Sequence, residues 1–136
     1  MTASLSVQDN LRLGRGGVDE AVAHFPELKP LLSRRAGLLS GGEQKILVLA
    51  RALANKPKAI FADEISLGLA PLSVERLLDA VRQVATTDGI AVLLVEQQVR
   101  RATAVADRCY LLNSGRIRRE GDRTAGDCGD RGGLLR

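Results

Sequence analysis

The sequence predicts an α/β domain in which a parallel sheet is flanked by helices. Three observations lead there. Two short apolar segments, Ala59–Ala62 and Ile90–Val95, read as buried strands. Between them Val74, Leu77, Leu78, Val81 and Val84 recur with helical spacing. Pro57, Gly68, Pro71 and Gly89 mark the joins. Helices alternating with fully apolar strands imply βαβ units and a sheet covered on both faces.

Each element can be justified from local chemistry. Residues 1–37 read as loosely organised helix. Leu5–Leu13 is short and amphipathic, Gly14, Gly16 and Gly17 interrupt it, Val18–Phe25 resumes it, and Pro26 and Pro30 punctuate the stretch after it. His24 has no cysteine or carboxylate cluster beside it and reads as a surface or partly packed histidine. Ser40 to about Asn55 is the next helix, with Ile46, Leu47, Leu49, Ala50 and Leu53 on one side. The strand Ala59–Ala62 ends at Asp63-Glu64, a loop spans Ile65–Ala70, and Pro71 suits the first turn of a helix. Ile90–Val95 lacks alternation, so it is expected to be buried on both faces, and it ends at Glu96-Gln97. Gln98–Ala106 reads as a helix, Arg108–Leu112 as a strand, and Arg116–Glu120 as a hairpin return after Asn113-Ser114-Gly115. Residues 121–136 are rich in glycine and charge and are expected to form a flexible tail.

Composition removes several function classes. The 136 residues suit one domain, and 45% hydrophobic with 26% charged residues is globular composition. The longest apolar run, Ile90–Val95, is far too short for a transmembrane helix. Met1–Asn10 lacks a charged and then apolar leader pattern, so the cytoplasm is the expected compartment. Phe25, Phe61 and Tyr110 are the whole aromatic set, too few for base-stacking platforms. The net charge of +4 is mild, and the pairs Arg34-Arg35, Arg100-Arg101 and Arg118-Arg119 are scattered, so nucleic acid is not an expected partner. Cys109 and Cys128 lack CxxC spacing and there is one histidine, which disfavours structural zinc and histidine-based triads.

Three constellations carry possible chemistry. Leu39-Ser40-Gly41-Gly42-Glu43-Gln44 is a helix start: Ser40 is a good N-cap and Glu43 completes a capping box. Gly41 and Gly42 leave the first N–H groups open to an anion, although Ser-x-x-Glu also begins many ordinary helices. Asp63-Glu64 ends a strand, where one carboxylate can hold Mg2+ through water and the other can polarise a water aimed at a phosphate; two solvated acids would look the same. Gln97 ends the second strand, where it can touch a γ-phosphate or a water, or be a plain strand terminus. In open parallel sheets ligands sit beyond the strands' carboxyl ends, where these polar residues fall.

The order of the three, L-S-G-G-E-Q, then a strand ending in D-E, then a strand ending in V-E-Q, resembles the ATP-binding-cassette (ABC) ATPases over about Leu5–Glu120. The resemblance implies a partial P-loop NTPase (RecA-like) fold, with residues 1–37 a remnant of the helical subdomain and 38–120 the later part of the ATPase core. It identifies Ser40, Gly41, Gly42, Glu43 and Gln44 with the signature motif, which binds nucleotide held by a partner subunit. Asp63 matches the Walker B aspartate and Glu64 the catalytic glutamate. Ser66, Leu67, Gly68 and Leu69 sit at the D-loop of the dimer interface, and Gln97 stands where most members have a switch histidine. Ser66–Pro71 with Val95–Gln97 looks most like the ATPases of branched-chain amino-acid importers. The implied ligands are ATP and Mg2+. The implied partners are a second ABC ATPase subunit and transmembrane permease subunits, which would place the chain on the inner face of the cell membrane. Arg34–Leu39 lies near where the family meets its membrane subunits.

Two departures stand out. Ile65 replaces the proline that usually follows the D-E pair. More importantly, a P-loop needs G-x-x-x-x-G-K-[ST], and Lys29, Lys45, Lys56 and Lys58 follow Leu28, Gln44, Asn55 and Pro57, never glycine. The chain is therefore expected to be a truncated ATPase subunit that needs a complete partner. The alternative expectation is a non-catalytic remnant or split-gene fragment without independent activity.

Overall fold

The computed structural model describes residues 1–122. Helix α1 (Val7–Arg12) begins at Ser6, whose hydroxyl accepts from the Asp9 N–H at 3.0 Å. Its keystone is Asn10, which is fully buried. The Asn10 Oδ1 accepts from the Thr2 N–H at 2.7 Å, and its Nδ2 donates to the Thr2 and Ser6 carbonyls, each at 2.9 Å. A buried amide is tolerated when its donors and acceptor are all engaged. The first residues also run against 34–37: Val7 N–H donates to the Arg34 carbonyl, Ala36 N–H to Leu5 and Gly37 N–H to Ala3, each at 2.9 Å.

Helix α2 (Val18–His24) leads into 3-10 helical turns at Pro26–Leu31 and Ala36–Leu38, and helix α3 spans Gly41–Leu53. The core lies among these elements. Val7, Leu11, Ala21, Phe25, Leu28, Leu47 and Leu53 are buried together, and Val84 and Ile90 join them. His24 is partly packed, as expected, with Nδ1 3.5 Å from the Asp88 carboxylate. Among the described residues no group of three histidine, cysteine or acidic side chains is placed to hold a metal ion.

Strand β1 (Ala59–Asp63) pairs in parallel with β2 (Ala91–Val95) from Ala59↔Ala91 to Asp63↔Val95. Helix α4 (Pro71–Thr87) forms the crossover, with Pro71 in its first turn and Val74, Leu77, Leu78, Val81 and Val84 buried. Short α5 (Val99–Val105) comes next, flanked by Gln98 and Ala106 as caps. The chain then turns back on itself as the antiparallel hairpin of β3 (Arg108–Asn113) and β4 (Arg116–Asp122), with an irregularity between Leu111 and Leu112. Arg82 ties α4 to the approach of this hairpin, donating to the Asp107 carboxylate at 2.6 Å and the Val105 carbonyl at 3.3 Å. Among the described residues no helix is long and apolar enough to cross a membrane.

Two expectations are corrected. The strands are not buried on both faces. Ile60 and Val92 pack against the core, but Phe61 is 79% exposed, Leu93 54% and Val95 51%. Side chains alternate across a pleat, and in this two-stranded sheet the core meets the face that carries Ile60 and Val92. An unbroken apolar sequence therefore leaves every second residue on a bare face. The expected tail at 121–136 also begins too early: Gly121 and Asp122 belong to β4, opposite Cys109 and Arg108. The rest of that tail, 123–136, lies outside the described residues.

Candidate functional site at the carboxyl end of the parallel strands

The start of α3 is built as a reciprocal cap. The Ser40 N–H donates to the Glu43 carboxylate at 2.7 Å, and the Glu43 N–H donates to the Ser40 hydroxyl at 3.3 Å. The Ser40 N–H foremost, and then its hydroxyl, hold the Glu43 carboxyl below its ordinary value of about 4.5. Gln44 turns back and donates from Nε2 to the Leu39 carbonyl at 3.1 Å. With these groups engaged, Gly41 and Gly42 carry the N–H groups that a helix start leaves without intrahelical acceptors. They form the electropositive end of the α3 dipole.

The two glycines have a second physical reason. A Cβ at Gly41 would stand 3.0 Å from Leu69 Cδ2, and one at Gly42 would stand 3.0 Å from both Cβ and Oγ of Ser73. The start of α3 therefore sits against the end of the 65–70 loop and the first turn of α4. The sequence suggests open space at these glycines; the fold also uses them for close approach.

The acidic pair ends β1. Asp63 is exposed, and alternation puts it on the same sheet face as Phe61. Glu64 adopts φ +46°, a left-handed conformation that costs a residue with a Cβ roughly 1–2 kcal/mol. Its N–H still donates to the Val95 carbonyl at 2.9 Å, extending the ladder by one bond. Gln97 Nε2 donates to Glu64 Oε1, which fixes the carboxylate's orientation. The other carboxylate oxygen is suited to accept from a water. Gln97 is expected to touch a phosphate or a water, or to be a plain strand terminus; within the chain its side chain meets Glu64.

The 65–70 loop is anchored by Glu96, which in the sequence is only a polar strand end. Ser66 is 4% exposed. Its N–H donates to Glu96 Oε1 at 2.9 Å and its hydroxyl donates to Glu96 Oε2 at 2.6 Å. Leu67 and Gly68 face solvent, Gly68 at φ +76°. Leu67 N–H donates to the Glu64 carbonyl and Leu69 N–H to the Ser66 carbonyl, each at 3.2 Å. Asp63, Glu64, Gln97 and the loop are thus gathered at one end of the sheet. The α3 start joins them through Leu69 and Ser73. Asn10 is a further structural residue with no mark in the sequence, because an isolated asparagine carries no spacing signal.

Comparison with known proteins identifies relatives of the chain. The ABC transporter family profile matches residues 2–66. The high-affinity branched-chain amino acid transport ATP-binding protein BraG of Pseudomonas aeruginosa is 40% identical over 122 residues, 83% of this chain and 52% of that protein. The probable branched-chain amino acid transport ATP-binding protein LivF of Archaeoglobus fulgidus is 36% identical over 124 residues, 85% of this chain and 52% of that protein. The chain thus spans about half the length of these curated relatives. A crystal structure of a nucleotide-free ATP-binding cassette from an ABC transporter superposes with a TM-score of 0.81 at 25% identity, covering 94% of this chain and 60% of that one. Motif order, strand register, sequence relatives and superposed cassette agree, and the chain belongs to the ABC transporter ATP-binding family.

Proposed function

We propose that the chain serves as an ATP-binding subunit of an ABC importer, working at the interface with a second ATPase subunit. The observation that carries this reading is the hydrogen bond from Gln97 to Glu64 at the strand ends, together with the capped α3 start that packs against Leu69 and Ser73 of the adjoining loop and helix. In this reading Ser40, Gly41, Gly42, Glu43 and Gln44 cap nucleotide held by the partner. The N–H groups of Gly41 and Gly42 meet phosphate oxygens, which helix starts favour.

Asp63 would hold Mg2+ through water. Magnesium keeps most of its waters and takes one or two carboxylates plus phosphate oxygens, so a lone strand-end aspartate fits it without a protein cage. When bound, the ion neutralises charge on the transferring phosphoryl group. Glu64 orients and polarises a water, and Gln97 holds the Glu64 carboxylate in place. Ser66, Leu67, Gly68 and Leu69 form the loop offered to the partner. No lysine in the sequence follows a glycine, so the phosphate cradle is supplied from outside these residues.

The relation to BraG and LivF supports branched-chain amino acids as the solute class. Permease subunits would then hold the chain at the inner face of the cell membrane. The domain reading goes with this: residues 1–37 correspond to part of the helical subdomain and 38–120 to the core.

The test is a mixing experiment. A full-length partner ATPase is assayed alone, with this chain, and with its Ser40→Arg variant. The mixture with the unmodified chain should exceed the partner alone, and Ser40→Arg should remove the gain by filling the capping space. If both mixtures match the partner alone, the reading fails.

The bare face carrying Phe61, Leu93 and Val95 favours a second reading, in which these residues are a fragment without activity of its own. Under that reading the chain aggregates when purified. A soluble monomer with cooperative unfolding would count against it.

A further inference from the structure

Three successive residues at the end of β2 grip the chain as it leaves β1. The Val95 carbonyl accepts from Glu64 N–H, Glu96 accepts twice from Ser66, and Gln97 donates to the Glu64 side chain. Glu96 is the centre of this grip, and both its oxygens are spent on a single residue. One bond is to a backbone N–H and one to a hydroxyl. Both are charge-assisted, and they leave Ser66 little freedom. Ser66 is one of two buried polar residues among the described ones, so losing Glu96 would leave a donor pair buried without an acceptor.

The geometry points to Glu96 as a positioning residue that acts through Ser66. The segment between β1 and Ser66 includes the left-handed Glu64, a conformation that survives only when its surroundings hold it. Three residues beyond Ser66, Leu69 lies against Gly41, and Ser73 lies against Gly42. One carboxylate therefore sets two things. It keeps Glu64 where Gln97 can reach it, and it keeps the loop seated under the α3 start. The acidic strand end and the α3 start are then mechanically joined rather than independent. The functional half of this role rests on the proposed roles of Glu64, Gln97 and the α3 start, but its structural half can be tested without nucleotide.

The experiment uses the full chain labelled with 15N. In Glu96→Ala, the Ser66 amide should exchange with solvent roughly tenfold faster or more, as expected for the loss of a bond to a charged acceptor. The amides of Gly41 and Gly42 and the side-chain amide of Gln97 should shift with it, while those of Leu47 and Leu53 stay in place. Glu96→Gln keeps an acceptor for the Ser66 N–H and should restore most of the protection. If Ser66 is unaffected, or if Gly41, Gly42 and Gln97 stay unmoved while Ser66 loosens, the inference is overturned.

Should Glu96→Ala fail to fold, Ser66→Ala carries the same test, because it removes the hydroxyl bond and keeps the amide. Its Gly41 and Gly42 shifts must move in the same direction. In the mixing assay, Glu96→Ala should lower kcat several-fold with KM for ATP unchanged, and Glu96→Gln should restore it; a change in KM alone would contradict positioning. If the unmodified chain gives no gain in that assay, the proposed function is what fails, and the exchange result alone decides the role of Glu96.

Discussion

The helical region formed by α1 to α3 and the parallel pair of strands are built to different standards. In the helical region Val7, Leu28 and Leu53 are fully shielded, and the one buried amide, Asn10, has every group engaged. In the sheet only alternate side chains are covered, and the hairpin beyond it leaves Tyr110, Leu112 and Ile117 largely exposed. Burial drives folding roughly in proportion to the apolar area removed from water. The stability of these residues therefore originates mostly among the helices. Asp63, Glu64 and Gln97 project from the end of the less covered region, while the Ser40 cap opens α3 in the other. Hydrogen bonds rather than packing hold that end in shape.

The sharpest way to break this contrast is to truncate one apolar side chain in each region. Leu47→Ala should lower the unfolding free energy by about 2–5 kcal/mol, since the cavity cannot collapse. Phe61→Ala should change it by no more than about 0.5 kcal/mol, as for an exposed side chain. Urea unfolding of both variants decides it, and equal losses would show that the sheet face is packed in solution.

A smaller effect of opposite sign is expected at Glu64. Glu64→Gly should raise stability by at most about 1 kcal/mol: it relieves left-handed strain of roughly 1–2 kcal/mol, less the extra unfolded-chain entropy of glycine and whatever the Gln97 bond contributes. The same change should abolish the gain in the mixing assay. A fall in the melting temperature would mean that the Gln97 bond and the glycine entropy outweigh the strain.

An effect of similar size is expected at the α3 start. The Glu43 carboxyl is held down by Ser40, so its contribution is fully present above the ordinary carboxylate range. It is lost as the pH falls through the lowered value in the folded chain. Ser40→Ala removes only the hydroxyl and keeps the Ser40 N–H, the larger cause, so it should flatten that acid-side loss only in part, read as melting temperature against pH, and should cost about 1 kcal/mol near neutrality as a lost cap. An unchanged acid slope would show that other carboxylates set it.

Much of this was legible in the sequence. Ser40 with Glu43 announced a capping box because the partners are three residues apart, and the structure closes it in both directions. Val74 to Val84 declared the buried stripe of α4 in the same way. Where the sequence misleads, the missing information is long-range. Leu93 and Phe61 look as buried as Ile60 in sequence, because composition cannot say whether a second layer covers a sheet. Glu96 and Ser66 are thirty residues apart, and nothing local pairs a strand-end glutamate with a loop serine. The packing role of Gly41 and Gly42 depends on Leu69 and Ser73, which only the crossover brings near.

The left-handed turn at Glu64 also bears on how variants of this chain ought to be chosen. A screen that rewards survival after heating alone would favour glycine at this position and enrich proteins that persist but are silent. Ranking a library by turnover first and by thermal endurance second would avoid that trap. At position 64 the two rankings should run in opposite directions.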